Sequence, residues 1–194
     1  MERFLDVIIS ILIIVLLSPL FLIIGIIIKL NSKGPIFFTQ MRIGKNNELF
    51  KLYKFRTMKI GTPNVATDKL DNSKSYITCI GKILRKTSID ELPQLINTLI
   101  GDMTFVGPRP ALYNQLELKE MRTKAGVHKL LPGVTGWAQI NGRDENDDSE
   151  KTAHDVYYLN NKSLSLNVKI LFKTVSKVLK AEGVRDDGQK KSRA

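Results

Sequence analysis

Residues 7–28 carry no charged side chain, and Ile, Leu, Val and Phe fill most of the run. As a helix rising 1.5 Å per residue, this stretch measures about 33 Å, enough to cross a hydrocarbon core. It is too long for a signal-peptide core, no small-x-small cleavage site follows, and Lys29 leads directly into sequence of folded character. The segment is therefore expected to stay in the mature protein. Ser18-Pro19 interrupts it: Pro19 lacks the N–H that would bond the Val15 carbonyl, and Ser18 can bond back to the Ile14 carbonyl and deepen a bend. Two topologies follow, a kinked helix that spans the bilayer and a broken helix that enters and leaves by one face. Arg3 is the only cation before the run, whereas Lys29, Lys33, Arg42 and Lys45 follow it, so the body is expected on the cytoplasmic side.

The chain as a whole has the composition of one folded domain with an attachment. Of its 194 residues 43% are hydrophobic and 25% charged, and the net charge of +11 calls for anionic partners: phosphorylated substrate, anionic lipid or nucleic acid. Cys79 is the only cysteine, which rules out an intrachain disulfide and a thiolate metal cluster. His128 and His154 stand without ligand spacing and are read as structural or surface residues. After a turn at Asn31-Ser32-Lys33-Gly34-Pro35, residues 36–43 and 49–58 read as the strands of a hairpin. Alternation puts Lys54 and Arg56 on one face, where two cations can clamp a pyrophosphate or simply meet water.

Residues 59–75 read as a polar loop, residues 112–125 as a helix, and residues 165–181 as an amphipathic helix. In the last, Lys169, Lys173, Lys177 and Lys180 oppose Leu171, Val175, Val178 and Leu179. That apolar side is expected to pack on the core, with an anionic membrane surface as the alternative. Residues 144–151 read as a solvated acidic stretch and residues 185–194 as a polar, disordered tail. The chemistry-bearing stretch is Arg85-Lys86-Thr87-Ser88-Ile89-Asp90-Glu91-Leu92-Pro93. Ser88 and Glu91 fit a capping box, and Leu92, Leu95, Ile96 and Leu99 recur at helical spacing as far as Gly101, which sets Asp90 in a first helical turn. Asp90 is itself an alternative N-cap, since Pro93 is tolerated only near a helix start. Both acids can serve as caps alone, or can hold a metal or act on phosphate there. Arg109, flanked by Pro108 and Pro110, and Arg143, after Asn141-Gly142, are further candidate anion ligands.

Those blocks together resemble the bacterial sugar transferases, the monotopic phosphoglycosyl transferases that begin assembly of capsule, O-antigen and related glycans. The resemblance rests on SP at 18–19, IKLNSKGPIFFTQMRIG at 28–44, YKFRTM at 53–58, GKILRKTSIDELPQLINTLIGDM at 81–103, VGPRPAL at 106–112, PGVTGWAQINGR at 132–143 and DVYYLNNKSLSLNVKIL at 155–171. It implies an α+β protein in three parts. Residues 1–30 would form a re-entrant membrane helix broken at Ser18-Pro19, and residues 31–184 a cytoplasmic, mainly helical catalytic domain with a small β-hairpin and amphipathic interfacial helices. Residues 185–194 would be the tail.

The implied reaction moves a phospho-sugar from a UDP-sugar, preferably an acetamido-deoxy one, to polyprenol (undecaprenyl) phosphate, releasing UMP. The expected mechanism is ping-pong through an aspartyl phospho-sugar. Asp90 is then the nucleophile, Glu91 its Mg²⁺-holding or orienting partner, and Lys54, Arg56, Arg85, Arg109 and Arg143 the phosphate contacts. Val127 stands where many relatives have arginine, and residues 144–152 lack an expected aromatic, so sugar specificity is less readable than chemistry. Membrane lipids are expected partners and nucleic acid is not, because aromatic residues do not interleave with the basic ones. The alternatives are a membrane-anchored Mg²⁺-dependent nucleotide-sugar pyrophosphatase and a non-catalytic anion-binding membrane module.

Overall fold

In the computed structural model, the described residues are 2–63, 73–142 and 147–180. The apolar run forms α1 (Glu2–Asn31), helical without interruption through Pro19. Ser18 Oγ donates to the Val15 carbonyl at 2.8 Å, not to Ile14 as expected. The reason is plain: Val15 carries the carbonyl that Pro19 leaves without its helical donor, so the hydroxyl supplies the missing bond. It is the one described helix long and apolar enough to cross a membrane.

Both ends of α1 touch the rest of the protein. Near its end, Ile24 and Ile28 are buried in a cluster with Phe55 and Leu84, joined at the edge by Leu20 and Phe21. Near its start, the Arg3 guanidinium donates to the carbonyls of Thr98 and Leu99, while Asp6 and Ser10 are buried. Between these anchors Ile11, Leu12, Val15 and Leu16 are exposed.

The expected hairpin is present as β1 (Phe37–Ile43) and β2 (Leu49–Phe55), antiparallel, with Phe37 opposite Phe55 and Ile43 opposite Leu49. Asn46 and Asn47 make the connection at positive φ, 54° and 64°, a conformation asparagine accepts more readily than most residues. Two short helices follow, α2 (Ser73–Tyr76) and α3 (Cys79–Lys86), the second capped by Thr78 Oγ1 accepting from Gly81 N. Of the expected loop at 59–75, residues 64–72 lie outside the described residues, 59–63 are non-helical, and 73–75 open α2.

The capping box expected at Ser88 and Glu91 is absent. Ser88 sits in the left-handed region at φ 56° and makes no cap, and residues Ile89–Glu91 form a single 3₁₀ turn. The α-helix proper, α4 (Gln94–Ile100), begins after Pro93, so neither Asp90 nor Ser88 is its N-cap. Proline at the helix entrance explains the shift, since its ring is compatible only with the leading turn.

A second small sheet was not apparent in the sequence: β3 (Thr104–Val106) pairs in parallel with β4 (Gly133–Thr135). The strands approach closely where they leave the ladder, because a Cβ on Gly133 would lie 2.1 Å from the Gly107 nitrogen. Between them lies α5 (Leu116–Lys124), shorter than the expected 112–125. The chain closes with α6 (Trp137–Ile140), α7 (Asp148–Asn161) and α8 (Leu164–Leu179).

A capping box is instead present at α7. Asp147 Oδ1 accepts from Glu150 N at 2.8 Å and Glu150 Oε2 accepts from Asp147 N at 3.0 Å, so part of the stretch expected to be merely solvated starts a helix. On α8 the expectation of an inward apolar side is corrected. Ile170 faces the core beside Val106, Ile140 and Tyr158, while Leu164, Val168, Leu171, Phe172 and Val175 are exposed. A single helix has two apolar faces here, and the narrower one suffices to seat it. The expected tail lies outside the described residues.

Candidate active site

Two segments distant in sequence converge on Glu91, and a third cation lies near Asp90 beside it. The end of β2 delivers Lys54, whose Nζ lies 2.6 Å from Glu91 Oε1. The segment after β3 delivers Arg109, whose Nη2 reaches the same oxygen at 3.0 Å. The 3₁₀ turn supplies Glu91 itself and Asp90, which is 8% exposed. The end of α3 places the charge of Arg85 within electrostatic reach of Asp90.

The two neighbouring acids are pushed apart electrostatically. Burial raises the Asp90 carboxyl above its ordinary value; Lys54, Arg85 and Arg109 pull it down, while the negative Glu91 pushes it further up. Burial also acts upward on Glu91, but Arg109 and Lys54, through charge and direct hydrogen bonds, outweigh it and hold that carboxyl well below the ordinary range. Glu91 is therefore the persistent anion of the pair. It fixes two cations beside Asp90, in an environment where fixed charges act strongly.

The remaining expected residues separate. Arg56 is buried, but it donates to the Lys33 carbonyl (2.6 Å) and to the Ser32 carbonyl and hydroxyl (2.8 and 2.9 Å), closing the turn that follows α1. The structure does not bring it to Glu91; its guanidinium is turned to Ser32 and Lys33. Arg143 lies outside the described residues. Among the described residues no cluster of three or more His, Cys, Asp or Glu is found; the carboxylates that face Lys54 and Arg109 are Asp90 and Glu91. Their oxygens are the hard donors Mg²⁺ takes, and Mg²⁺ commonly binds one or two protein carboxylates and completes its shell with phosphate and water. The donor set fits on that chemistry.

Three charged residues not singled out in the sequence also belong to this neighbourhood. Arg42 donates from Nη1 to the Pro110 carbonyl at 3.0 Å; burial, followed by the nearby Arg109, lowers its guanidinium pKa, while Glu91 raises it. Arg122 and Asp155 form a buried ion pair next to the Arg109 backbone, with Nη2 to Oδ2 at 2.6 Å. Nothing in the local pattern marks them: Arg42 reads as one polar position of an alternating strand, and Arg122 and Asp155 as ordinary helix charges.

Residues 1–181 match the family of bacterial sugar transferases. The chain is 39% identical over 190 residues to UDP-N-acetylgalactosamine-undecaprenyl-phosphate N-acetylgalactosaminephosphotransferase of Aeromonas hydrophila, covering 95% of this chain and 45% of that protein. It is 44% identical over 165 residues to the uncharacterized sugar transferase EpsL of Bacillus subtilis (strain 168), covering 82% and 77%. It is 39% identical over 184 residues to UDP-glucose:undecaprenyl-phosphate glucose-1-phosphate transferase of Escherichia coli (strain K12), covering 91% and 40%. The chain thus spans less than half the length of the Aeromonas and Escherichia relatives.

Proposed function

This chain belongs to the bacterial sugar transferase family, and we propose that it transfers a phospho-sugar from a UDP-sugar to undecaprenyl phosphate, releasing UMP. The observation that carries the proposal is a buried carboxylate, Asp90, beside cations that a second carboxylate holds in place. A carboxylate is a weak nucleophile, and attack on a diphosphate is feasible only if fixed positive charge offsets the negative charge of the donor. Lys54, Arg85 and Arg109 are suited to that role. Asp90 Oδ forms a bond to the β-phosphorus of the donor as the bond from that phosphorus to the α–β bridging oxygen breaks, and UMP leaves with that oxygen. A phosphate oxygen of the lipid then attacks the same phosphorus, breaking the aspartyl bond, restoring Asp90 and yielding the polyprenol diphosphate sugar.

Asp90 and Glu91 would hold Mg²⁺, which when bound supplies neutralisation of the diphosphate oxygens without proton transfer. Glu91 orients Lys54 and Arg109, which supports its reading as partner to Asp90. The preferred donor class is an acetamido-deoxy sugar, the class named for the Aeromonas relative; UDP-glucose, named for the Escherichia relative, is the competing donor.

The α1 contacts support the re-entrant, cytoplasmic-leaflet reading. A body that touches both Arg3 and Ile28 cannot lie wholly on one side of a bilayer that α1 crosses, because the charged body would then extend along the hydrocarbon. A helix that bends at Ser18-Pro19 and returns both ends to one face meets no such conflict; because α1 stays helical through that dipeptide, the change of direction would be a kink and not a break. The exposed apolar face of α8, alongside Lys169 and Lys173, is suited to the same anionic surface.

The test is incubation of the purified full chain with a panel of UDP-sugars, Mg²⁺ and undecaprenyl phosphate. UMP release that requires the lipid is expected. Lipid-independent release of UMP and sugar phosphate would identify a pyrophosphatase instead, and no turnover with any donor would leave an anion-binding membrane module.

A further inference from the structure

Three successive carbonyls, those of Pro108, Arg109 and Pro110, are each gripped from outside their own segment. Gly133 N donates to Pro108 at 2.9 Å, Arg122 Nη1 to Arg109 at 2.8 Å and Arg42 Nη1 to Pro110 at 3.0 Å. The prolines have no N–H to offer, so this segment is held by its oxygens. The middle grip has a support of its own. Arg122 turns its Nε and Nη2 to Asp155 Oδ2, at 2.9 and 2.6 Å, and keeps Nη1 for the Arg109 carbonyl. Asp155 is 1% exposed and Arg122 is 9% exposed.

A buried ion pair is a poor device for stability alone, since desolvation offsets most of its attraction. This pair does something a hydrophobic pair could not: it fixes the direction of one guanidinium edge, and that edge determines where the Arg109 peptide lies. From that peptide the Arg109 side chain reaches Glu91 at 3.0 Å. Asp155 is paired with Arg122 and not with Asp90, Glu91 or Lys54, so its route to the site passes through Arg122 and the backbone of Arg109.

We propose that Asp155 and Arg122 are positioning residues, which set the Arg109 guanidinium beside Glu91 and so complete the cationic wall for the donor diphosphate. The proposal rests on the phosphoglycosyl-transfer reading above. It requires the fork of arginine at position 122, because lysine can meet Asp155 or the Arg109 carbonyl but presents no planar edge to bridge both.

The test is a double-mutant cycle. The paired substitution Arg122→Met with Asp155→Leu removes the ion pair together with the donor to the Arg109 carbonyl, and is expected to lower the melting temperature by only about 2–4 °C while lowering kcat/KM for UMP release by about 10- to 100-fold. In an Arg109→Ala background the same paired substitution is expected to change kcat/KM by less than about 2-fold, because its target is already gone. Losses that multiply in that background would overturn the proposal. Should the paired variant fail to fold, Arg122→Lys carries the cycle with the same expectations, and wild-type turnover in Arg122→Lys would overturn it. If the wild-type chain turns over no UDP-sugar, the functional reading fails and a separate measurement decides this one. Phenylglyoxal modification of Arg109, mapped by peptide mass spectrometry, is expected to be several-fold faster in Arg122→Lys than in wild type, and an equal rate would overturn the positioning role.

Discussion

Lys54 Nζ sits 2.6 Å from Glu91 Oε1, an ion pair that joins β2 to the 3₁₀ turn across 37 residues of sequence. It fixes a cation next to a carboxylate whose pKa burial alone would raise, and it makes the acid pair unequal. Glu91 is the anchored anion, and Asp90 is the acid whose charge depends on what surrounds it.

This inequality predicts a pH dependence. The Glu91 carboxyl is held well below its ordinary value of 4.5, so the folded state takes up that proton less readily than the unfolded chain. The associated stabilisation is complete above the unfolded value and is lost as pH falls through the folded one. Glu91→Gln removes the contribution. The difference in melting temperature between wild type and Glu91→Gln should hold steady above about pH 6 and shrink on acidification below 4.5. A difference that widens in acid would contradict the ion-pair account.

Asp90→Asn should abolish covalent capture of the donor. With UDP-sugar and no lipid acceptor, intact-protein mass spectrometry of the wild type is expected to reveal an acid-labile phospho-sugar adduct, and the variant none. The substitution keeps the shape of the side chain and relieves a buried acid, so the melting temperature should be maintained. An adduct that persists in the variant would mean that the nucleophile is another residue.

Arg56→Met should damage folding far more than substrate handling. It deletes the donors to Ser32 and Lys33 and leaves buried acceptors unpaired, a loss of about 2–3 kcal/mol. Urea unfolding in detergent should report that loss, while KM for the donor in the folded fraction stays near wild type. A rise in KM with unchanged stability would instead assign Arg56 to the donor phosphates.

Topology can be read by cysteine labelling of membrane vesicles. Single cysteines introduced next to Arg3 and next to Lys29, in a background with Cys79 replaced by serine, should react with a membrane-impermeant maleimide from the same side. Labelling from opposite sides would establish a spanning helix and rule out the re-entrant one.

Patterns that act over a few residues were open to reading from the chain alone. The uncharged run of α1, the hairpin and the helical periods of α4 and α8 all depend on neighbours no more than about four positions apart. Even there, proline redirected the detail: Pro93 delayed α4 until after the acids, and Pro19 drew the Ser18 hydroxyl to Val15 rather than Ile14. The parallel pairing of β3 with β4 has no local signal, because three-residue strands are stabilised by partners brought from afar.

The candidate site divides along the same line. The sequence by itself determined that Asp90 and Glu91 stand together, that Arg109 lies between two prolines, and that a long apolar helix precedes a basic body. Only the tertiary structure decided which cation serves which anion. It sent Lys54 and Arg109 to Glu91, committed Arg56 to the turn after α1, and set Arg122 and Asp155 behind Arg109. The physical reason is that an ion pair depends on distance through space. A charged side chain has no periodicity that names its partner, and contacts spanning 18, 33 or 37 residues exist only once the chain has closed around them.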